Sequence, residues 1–340
     1  MYSAEMSLLV RMVHSPELTR LFEFSARMGH DPLLTQASSG NTSIKCDGKL
    51  WIKASGTWLA NAGAGDTFLP LPLDDLRRRL AGAHELSGIA ITSNGQLRHT
   101  SIETAMHAAL PQKVVVHLHS VNAIAWAVRA DGAECLGSVL SGLDWAWIPY
   151  VPSGLPLARC VQEAIASRPG ANVFILANHG LVICGDTSHE AEEVLAQVER
   201  CLALPVRDAE GAGFGDSLWH FVDETWMLPE STALHRLGTN AVNYRIATGG
   251  VLFPCHAVFL GSNALRIEEG KGVLVNRSLT VSQKCMLGGL LDVVERIDSR
   301  APVRYLSEAE IAALATEDAH QYHMVSNLNA PPFLQPSASV

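Results

Sequence analysis

No run of about 18 apolar residues occurs in the 340-residue sequence, so it offers no transmembrane helix. The opening stretch, MYSAEMSLLVRMVHSPELTR, carries an acid early and lacks a sustained apolar core and a small-residue cleavage site, so no secretory signal is expected. No C-x-x-C pair occurs. The cysteines (Cys46, Cys135, Cys160, Cys184, Cys201, Cys255 and Cys285) are scattered and odd in number, and read as free thiols in a reducing compartment. A positive excess is also missing. The net charge of −9 argues against nucleic acid or an anionic membrane as the main partner, while leaving room for an anionic substrate at a locally positive site. Repeats of 20–50 residues and low-complexity tracts are absent. A soluble, cytoplasmic protein is expected. Its 48% apolar and 17% charged composition supports a substantial core in one large domain or two ordinary ones.

Periodicity and punctuation suggest the elements. Residues 16–28 carry helical spacing behind Pro16. Asn41–Lys45 and Lys49–Lys53 read as strands joined by a tight turn at CDGK. PLPLDDLRRRLAG reads as a short helix with acids in its first turn. TSIETAMHAALP reads as a helix capped by Thr100 or Ser101 and ending before Pro111. KVVVHLHSV reads as a buried strand, VNAIAWAVRADG as an apolar helix, and RPGANVFILANHGLVICGD as two strands broken at Asn178–Gly180. SHEAEEVLAQVERCLAL reads as an amphipathic helix capped by Ser188. Residues 205–217 turn Gly-rich and polar, and are the best linker candidate. Beyond them a Trp-containing helix, a strand-like VLFPCHAVFLG, a KGVLV strand and helices at 281–298 and 307–320 are expected, then a poorly ordered tail.

Four groups of residues could carry chemistry. His117 and His119 alternate with Leu118 on the buried strand, so both imidazoles face one way and could grip a metal; two hydrogen-bonded core histidines would look the same. His179 precedes Gly180 at a strand end, either as a turn residue or as a third imidazole completing a catalytic zinc arrangement. Glu103 lies in the first turn of its helix, where a carboxylate also serves the helix dipole; His107 one turn on suits packing or support of the site. The loops SSGNTS and KASGTW, with RHTS, offer hydroxyls and Gly turns able to nest an anion; Arg98 could add charge or be an exposed loop residue. His320 and His323 form an H-x-x-H without a third ligand nearby and read as a solvated or packed pair.

SSGNTSI, ASG, TSIETAMHAALP, VVVHLHS and ANHGLVICGD stand in the order of a known pattern over residues 17–205. The chain resembles the class II, metal-dependent aldolase/adducin family, most closely its longer rhamnulose-phosphate-aldolase-like members. The resemblance implies an α/β fold, three-layered α/β/α around a largely antiparallel sheet, over residues 1–205, with residues 206–340 as a C-terminal α+β extension. It implies that His117, His119 and His179 hold a divalent metal, zinc being the expected one. Glu103 becomes the catalytic acid/base, and Ser38, Gly40, Asn41, Ser55, Gly56 and Ser101 cradle a substrate phosphate. The implied activity is retro-aldol cleavage of a ketose phosphate by a homo-oligomer. A 4-epimerase, dehydratase or decarboxylase on the same metal, and the non-catalytic adducin-like module, are its alternatives. Ile102 replaces a second phosphate-binding serine of the short fuculose-phosphate aldolases, and the tyrosine their neighbouring subunit supplies has no evident equivalent.

Overall fold

The computed structural model describes residues 15–63, 67–93, 95–207, 216–314, 322, 325–331 and 334. In chain order the N-terminal elements are α1 (Pro16–Gly29), β1 (Asn41–Cys46), β2 (Lys49–Lys53), β3 (Phe68–Pro72), α2 (Leu73–Ala81), β4 (Ala90–Ser93), β5 (Gln96–His99) and α3 (Thr104–Ala109). They are followed by β6 (Val114–Leu118), α4 (Val121–Ala127), α5 (Gly132–Val139), β7 (Trp145–Ile148), α6 (Leu155–Ser167), β8 (Val173–Leu176), β9 (Gly180–Gly185) and α7 (Ser188–Leu202). The remainder comprises β10 (Trp226–Met227), α8 (Arg236–Thr239), α9 (Ala241–Thr248), β11 (Leu265–Glu268), β12 (Gly272–Asn276), α10 (Val281–Arg296) and α11 (Glu308–Leu314).

The fold is mixed α/β around a seven-stranded sheet of order β3-β2-β1-β6-β9-β8-β7. Its neighbours are antiparallel except β7 and β8. The two-residue alternation of β6 sorts the layers. Val114, Val116 and Leu118 pack against Leu18, Leu21 and Phe24 of α1 and Leu195 and Val198 of α7. Val115 points the other way, onto Met106 of α3 and Leu157 and Val161 of α6. His117 shares that second direction. Both faces of β6 are therefore covered, and the strand reads as nearly continuous apolar sequence.

Local chemistry sets the boundaries. Ser15 caps α1 by accepting from the Leu18 amide, with Pro16 in the first turn. Asp47 (φ 50°) and Gly48 (φ 71°) form the two-residue turn between β1 and β2, the left-handed pair that matches strand twist. The expected helix at PLPLDDLRRRLAG is in fact a strand then a helix: β3 pairs only with β2, so Pro70 and Pro72 sit on an edge that spares their missing N–H groups. Two caps differ from the expected positions, one downstream and one upstream. Glu103 occupies the N-cap of α3, with Ser101 supporting it from two residues back. Thr187, extended at φ −136°, caps α7 in place of Ser188.

The C-terminal part carries a three-stranded sheet, β10-β12-β11. Its core is continuous with residues before 206: Phe253, Phe259, Val273, Met286 and Leu290 share one cluster with Ala37, Trp58, Val121 and Ile124. The strand expected at VLFPCHAVFLG is instead a π-helical turn, His256–Leu260, entered after Pro254. A short apolar run satisfies a buried strand and a buried helical turn equally, and periodicity alone does not separate them. The Trp-containing helix is a 3-10 turn, Asp216–Phe221. The expected helix at 281–298 is α10, and α11 begins the expected 307–320 helix. Residues 208–215 of the expected linker, the His320–His323 pair and most of the tail lie outside the described residues. All seven cysteines are free, and no helix among the described residues is long and apolar enough to cross a membrane.

The tightest backbone approach in the sheet is at Gly180. A Cβ there would lie 2.4 Å from the Leu118 carbonyl oxygen of β6. Gly180→Ala is expected to push β9 from β6 and cost about 1–3 kcal/mol, the usual cost of overpacking. A urea denaturation midpoint unchanged from wild type would refute that constraint.

Candidate metal centre

β6 lies between β1 and β9, with His117 opposite Asn41 on one side and Val182 on the other. His119 follows at the strand end, and Ser120 then caps α4 by accepting from the Ala123 amide. His179 sits between β8 and β9, directly after Asn178, which holds a left-handed φ of 52°. Glu103 enters from the start of α3, on the sheet face toward which His117 points.

These four side chains converge. His117 Nε2 and His119 Nε2 are 3.1 Å apart. Glu103 Oε1 lies 3.3 Å from His117 Nε2 and 3.2 Å from His179 Nε2. The three rings stand nearly edge-on to one another, with centroids 4.9–5.0 Å apart. His117 is fully buried, and His119, Glu103 and His179 are only 4–6% exposed. The ligating atoms of the three histidines lie within 4.8 Å of one another, so the cluster could hold a metal ion.

The donor chemistry fits such an ion. His117 Nδ1 lies 3.0 Å from the Leu181 carbonyl. Donating there fixes the tautomer and turns the Nε2 lone pair toward the cluster, the usual outer support of a metal-bound imidazole. Glu103 Oε1, buried and facing two of the rings, has no hydrogen-bond partner among the described residues. Four ligands at 2.0–2.1 Å around a tetrahedral ion are about 3.3–3.4 Å apart. The observed separations of 3.1–3.3 Å match that scale.

Electrostatics agree. Burial lowers His179 to about 4, against the pull of Glu103. Burial, then repulsion from the other two imidazoles, holds His119 well below the usual range. Burial works against the charge on Glu103, but the imidazoles of His117, His179 and His119 outweigh it and keep the carboxyl well below the ordinary carboxylate range. Near neutral pH the cluster therefore presents an ionised carboxylate beside neutral His119 and His179, a donor set for a divalent cation.

A second tier supports Glu103. Asn41 Nδ2 donates to Glu103 Oε2 at 2.6 Å, and Ser101 Oγ accepts from the Glu103 amide at 3.2 Å. With its NH₂ committed to the carboxylate, Asn41 has only Oδ1 left for His107 Nε2, so His107 carries its proton there. Its Nδ1 then accepts from Ser43 Oγ at 2.7 Å. His107 is fully buried and burial lowers it to about 3, so it is a neutral hydrogen-bonding strut.

The loops carrying Gly40, Asn41 and Ser101 lie beside this cluster, and Lys53 links the loop carrying Ser55 and Gly56 to Ser38. Asn41 and Ser101 touch Glu103 directly. Gly40 takes φ 68° where a Cβ would meet the His117 carbonyl at 2.8 Å. Ser38 Oγ is buried with no partner among the described residues. Ser55 and Gly56 form a turn whose Ser55 amide bonds His99, with Val325 packed against Gly56. Arg98 donates to Asn329 and is partly buried. Ile102 points outward, 52% exposed.

Sequence reasoning missed Lys53. Buried in β2, its ammonium donates to the Ser38 carbonyl at 3.0 Å and the Thr57 carbonyl at 2.6 Å, tying the two loops together. Burial lowers it to about 7, opposed by Glu103. Nothing in its spacing marked it. Tyr322, also missed, donates to the same Ser38 carbonyl at 2.9 Å.

Residues 19–206 match the family model described as the Class II Aldolase and Adducin N-terminal domain, over half of the chain. The chain belongs to the class II aldolase and adducin family. A stretch of 178 residues is 33% identical to the uncharacterized oxidoreductase YuxG of Bacillus subtilis (strain 168), covering 47% of this chain and 25% of that protein. The chain thus spans about a quarter of the length of that relative. A stretch of 203 residues is 28% identical to a 3-oxo-tetronate 4-phosphate decarboxylase of Escherichia coli O6:H1, covering 55% of this chain and 84% of that one. Among solved structures, the N-terminal class II aldolase domain of a conserved Thermoplasma acidophilum protein aligns with TM-score 0.45 and 22% identity, over 56% of this chain and 95% of that one. The family match ends near α7, so the residues beyond it are read from their own contacts.

His107 yields a pH test. Its folded pKa of about 3 lies below the 6.5 of a free imidazole, so the unfolded chain binds the extra proton first as pH falls. Its contribution is complete above pH about 6.5 and lost progressively as pH drops toward 3, at about 1.4 kcal/mol per pH unit. In the metal-free protein, His107→Gln should flatten the fall in denaturation free energy between pH 6 and 4 relative to wild type. Parallel profiles would refute the neutral-strut assignment.

Proposed function

We propose that this protein is a metal-dependent carbon–carbon lyase that cleaves a ketose phosphate, with His117, His119 and His179 holding zinc and Glu103 as acid/base. The single observation that carries the reading is a buried carboxylate 3.2–3.3 Å from two of three converging imidazoles. A divalent metal bound there supplies Lewis-acid stabilisation of negative charge on adjacent carbonyl and hydroxyl oxygens.

The chain's own residues do the rest. Cleaving the Cα–Cβ bond beside a ketone turns the β-hydroxyl into an aldehyde with release of its proton and leaves the bond's electron pair in an enediolate, which must gain a proton at carbon. Glu103 is placed to carry that proton, because Asn41 fixes its carboxylate through Oε2, Ser101 holds its backbone amide, and Oε1 has no hydrogen-bond partner among the described residues. Ser38, Gly40, Asn41, Ser55, Gly56 and Ser101 are the proposed phosphate loops. Their neutral donors, backed by Lys53, suit an anion within a chain of net charge −9. Anchoring the remote phosphate orients the reacting end. We assign catalysis to residues 1–205 of a cytoplasmic homo-oligomer, with 206–340 as an extension of the same body.

A second reading is kept for one reason: a relative named as a 3-oxo-tetronate 4-phosphate decarboxylase matches over 84% of its length. Loss of CO₂ from a 3-oxo acid leaves the same kind of enolate, which Glu103 would protonate only after taking up a proton from water, since this cleavage releases none.

The test combines metal analysis with a screen of ketose 1-phosphates and 3-oxo acid 4-phosphates. His117→Ala should drop bound metal well below one equivalent per chain. Glu103→Gln can still accept from Asn41, so it should retain metal while losing about 10²–10⁴-fold in rate. Full metal in the histidine variant, or wild-type turnover in the glutamine variant, would overturn the assignment.

A further inference from the structure

The third histidine of the cluster stands on a backbone irregularity. Asn178, immediately before His179, is fully buried at φ 52°. Asparagine tolerates this conformation better than most residues but still needs holding. The hold comes from far away in the chain. Asn178 Nδ2 donates to the Leu252 carbonyl at 2.8 Å and the Arg304 carbonyl at 2.9 Å. Asn178 Oδ1 accepts from Arg304 Nη1 at 2.7 Å. Arg304 thus grips the amide from both ends, through its own carbonyl and its guanidinium.

Arg304 is itself fixed on every side. Its other terminal nitrogen donates to Glu310 Oε1 at 2.6 Å, and the guanidinium lies 5.2 Å over the Tyr150 ring centroid. Its backbone amide donates to the Val128 carbonyl at 2.7 Å, while Ala130 donates to Pro302 and Arg129 pairs with Val303. Residues 302–304 therefore run along the end of α4. That helix starts directly after His119, and its Ala127 carbonyl accepts the Asn178 amide at 2.9 Å. One frame links the end of β6, α4, the 302–304 segment and the break before His179.

We infer that Arg304, acting through Asn178, is a positioning residue for His179, so that the C-terminal extension completes the metal centre from outside the matched family domain. Without the guanidinium, Asn178 Oδ1 would be left buried without its charged donor, and the left-handed turn would lose its clamp. The His179 imidazole would then sample orientations away from His117 and Glu103. The inference rests on the metal reading proposed above, but not on the identity of the substrate.

The experiment uses the full chain and Zn²⁺ alone as the probe. Arg304→Met keeps the apolar stem and removes the fork. Zinc affinity is measured by competition with a chromophoric chelator at fixed pH, well below the melting temperature, with the His179 ring nitrogens followed by NMR. The expected result is affinity weakened about 10–100-fold, the usual cost of losing an outer support of a ligand, with the His179 signal shifted or broadened. Should that variant not fold, Arg304→Lys, which keeps the charge but not the bidentate fork, is read the same way. A purely structural role would lower the melting temperature and leave zinc affinity at the wild-type value, and that result overturns the inference. Tight wild-type zinc binding without cleavage of any ketose phosphate would refute the lyase reading, while weakened affinity in the variant would still support the role of Arg304. A wild-type protein that binds no zinc would overturn both.

Discussion

Three imidazoles and a carboxylate are held 3.1–3.3 Å apart at their closest pairs, with almost no access to water. Such crowding of polar groups is costly, because each gives up hydration for neighbours that compete for protons. Much of the surrounding structure answers that cost. The Leu181 carbonyl orients His117, and Asn41 and Ser101 hold Glu103. His107 and Ser43 hold Asn41 in turn. Within the cluster and among the described residues, Glu103 Oε1 is left unanswered where a cation would satisfy it, while His119 Nδ1 is also buried without a partner.

The rigidity behind this arrangement comes from the middle of the sheet. β6 is paired on both sides and covered on both faces, so His117 has little freedom to relax. Gly180 and Gly40 allow the neighbouring backbones to approach β6 more closely than any side chain permits. The C-terminal part contributes as well. Its hydrophobic core takes in α4 and Trp58, and its contacts reach the Ser38 carbonyl through Tyr322 and Asn178 through Arg304. A family match over residues 19–206 therefore covers the candidate ligands but not all of what holds them.

Much of this was legible beforehand. The alternation in VVVHLHSV put His117 and His119 on one side, and ANHG marked a strand end. Both readings need only neighbouring residues. The elements that differ from expectation share a cause too. The acids of PLPLDDLRRRLAG mark the helix that follows β3, while the prolines of β3 suit a strand only at an edge, and edge status depends on pairing. VLFPCHAVFLG forms a π-helical turn rather than the expected strand because an apolar run is compatible with either element, and its neighbours decide between them.

By itself, the sequence determined the inventory: which donors exist, which of them share a strand face, and where turns let the backbone bend. These are local properties, set by periodicity and by the conformational limits of glycine, proline and asparagine. Only the tertiary structure decided the meetings. Glu103 reaches His179, Lys53 joins two loops from beneath, and Arg304 clamps Asn178 across 126 positions of chain. Contacts at such separations leave no periodic trace. They exist because sheet order and a shared core bring remote segments into one small, nearly dry space where unpaired polar groups are too costly to leave unmatched.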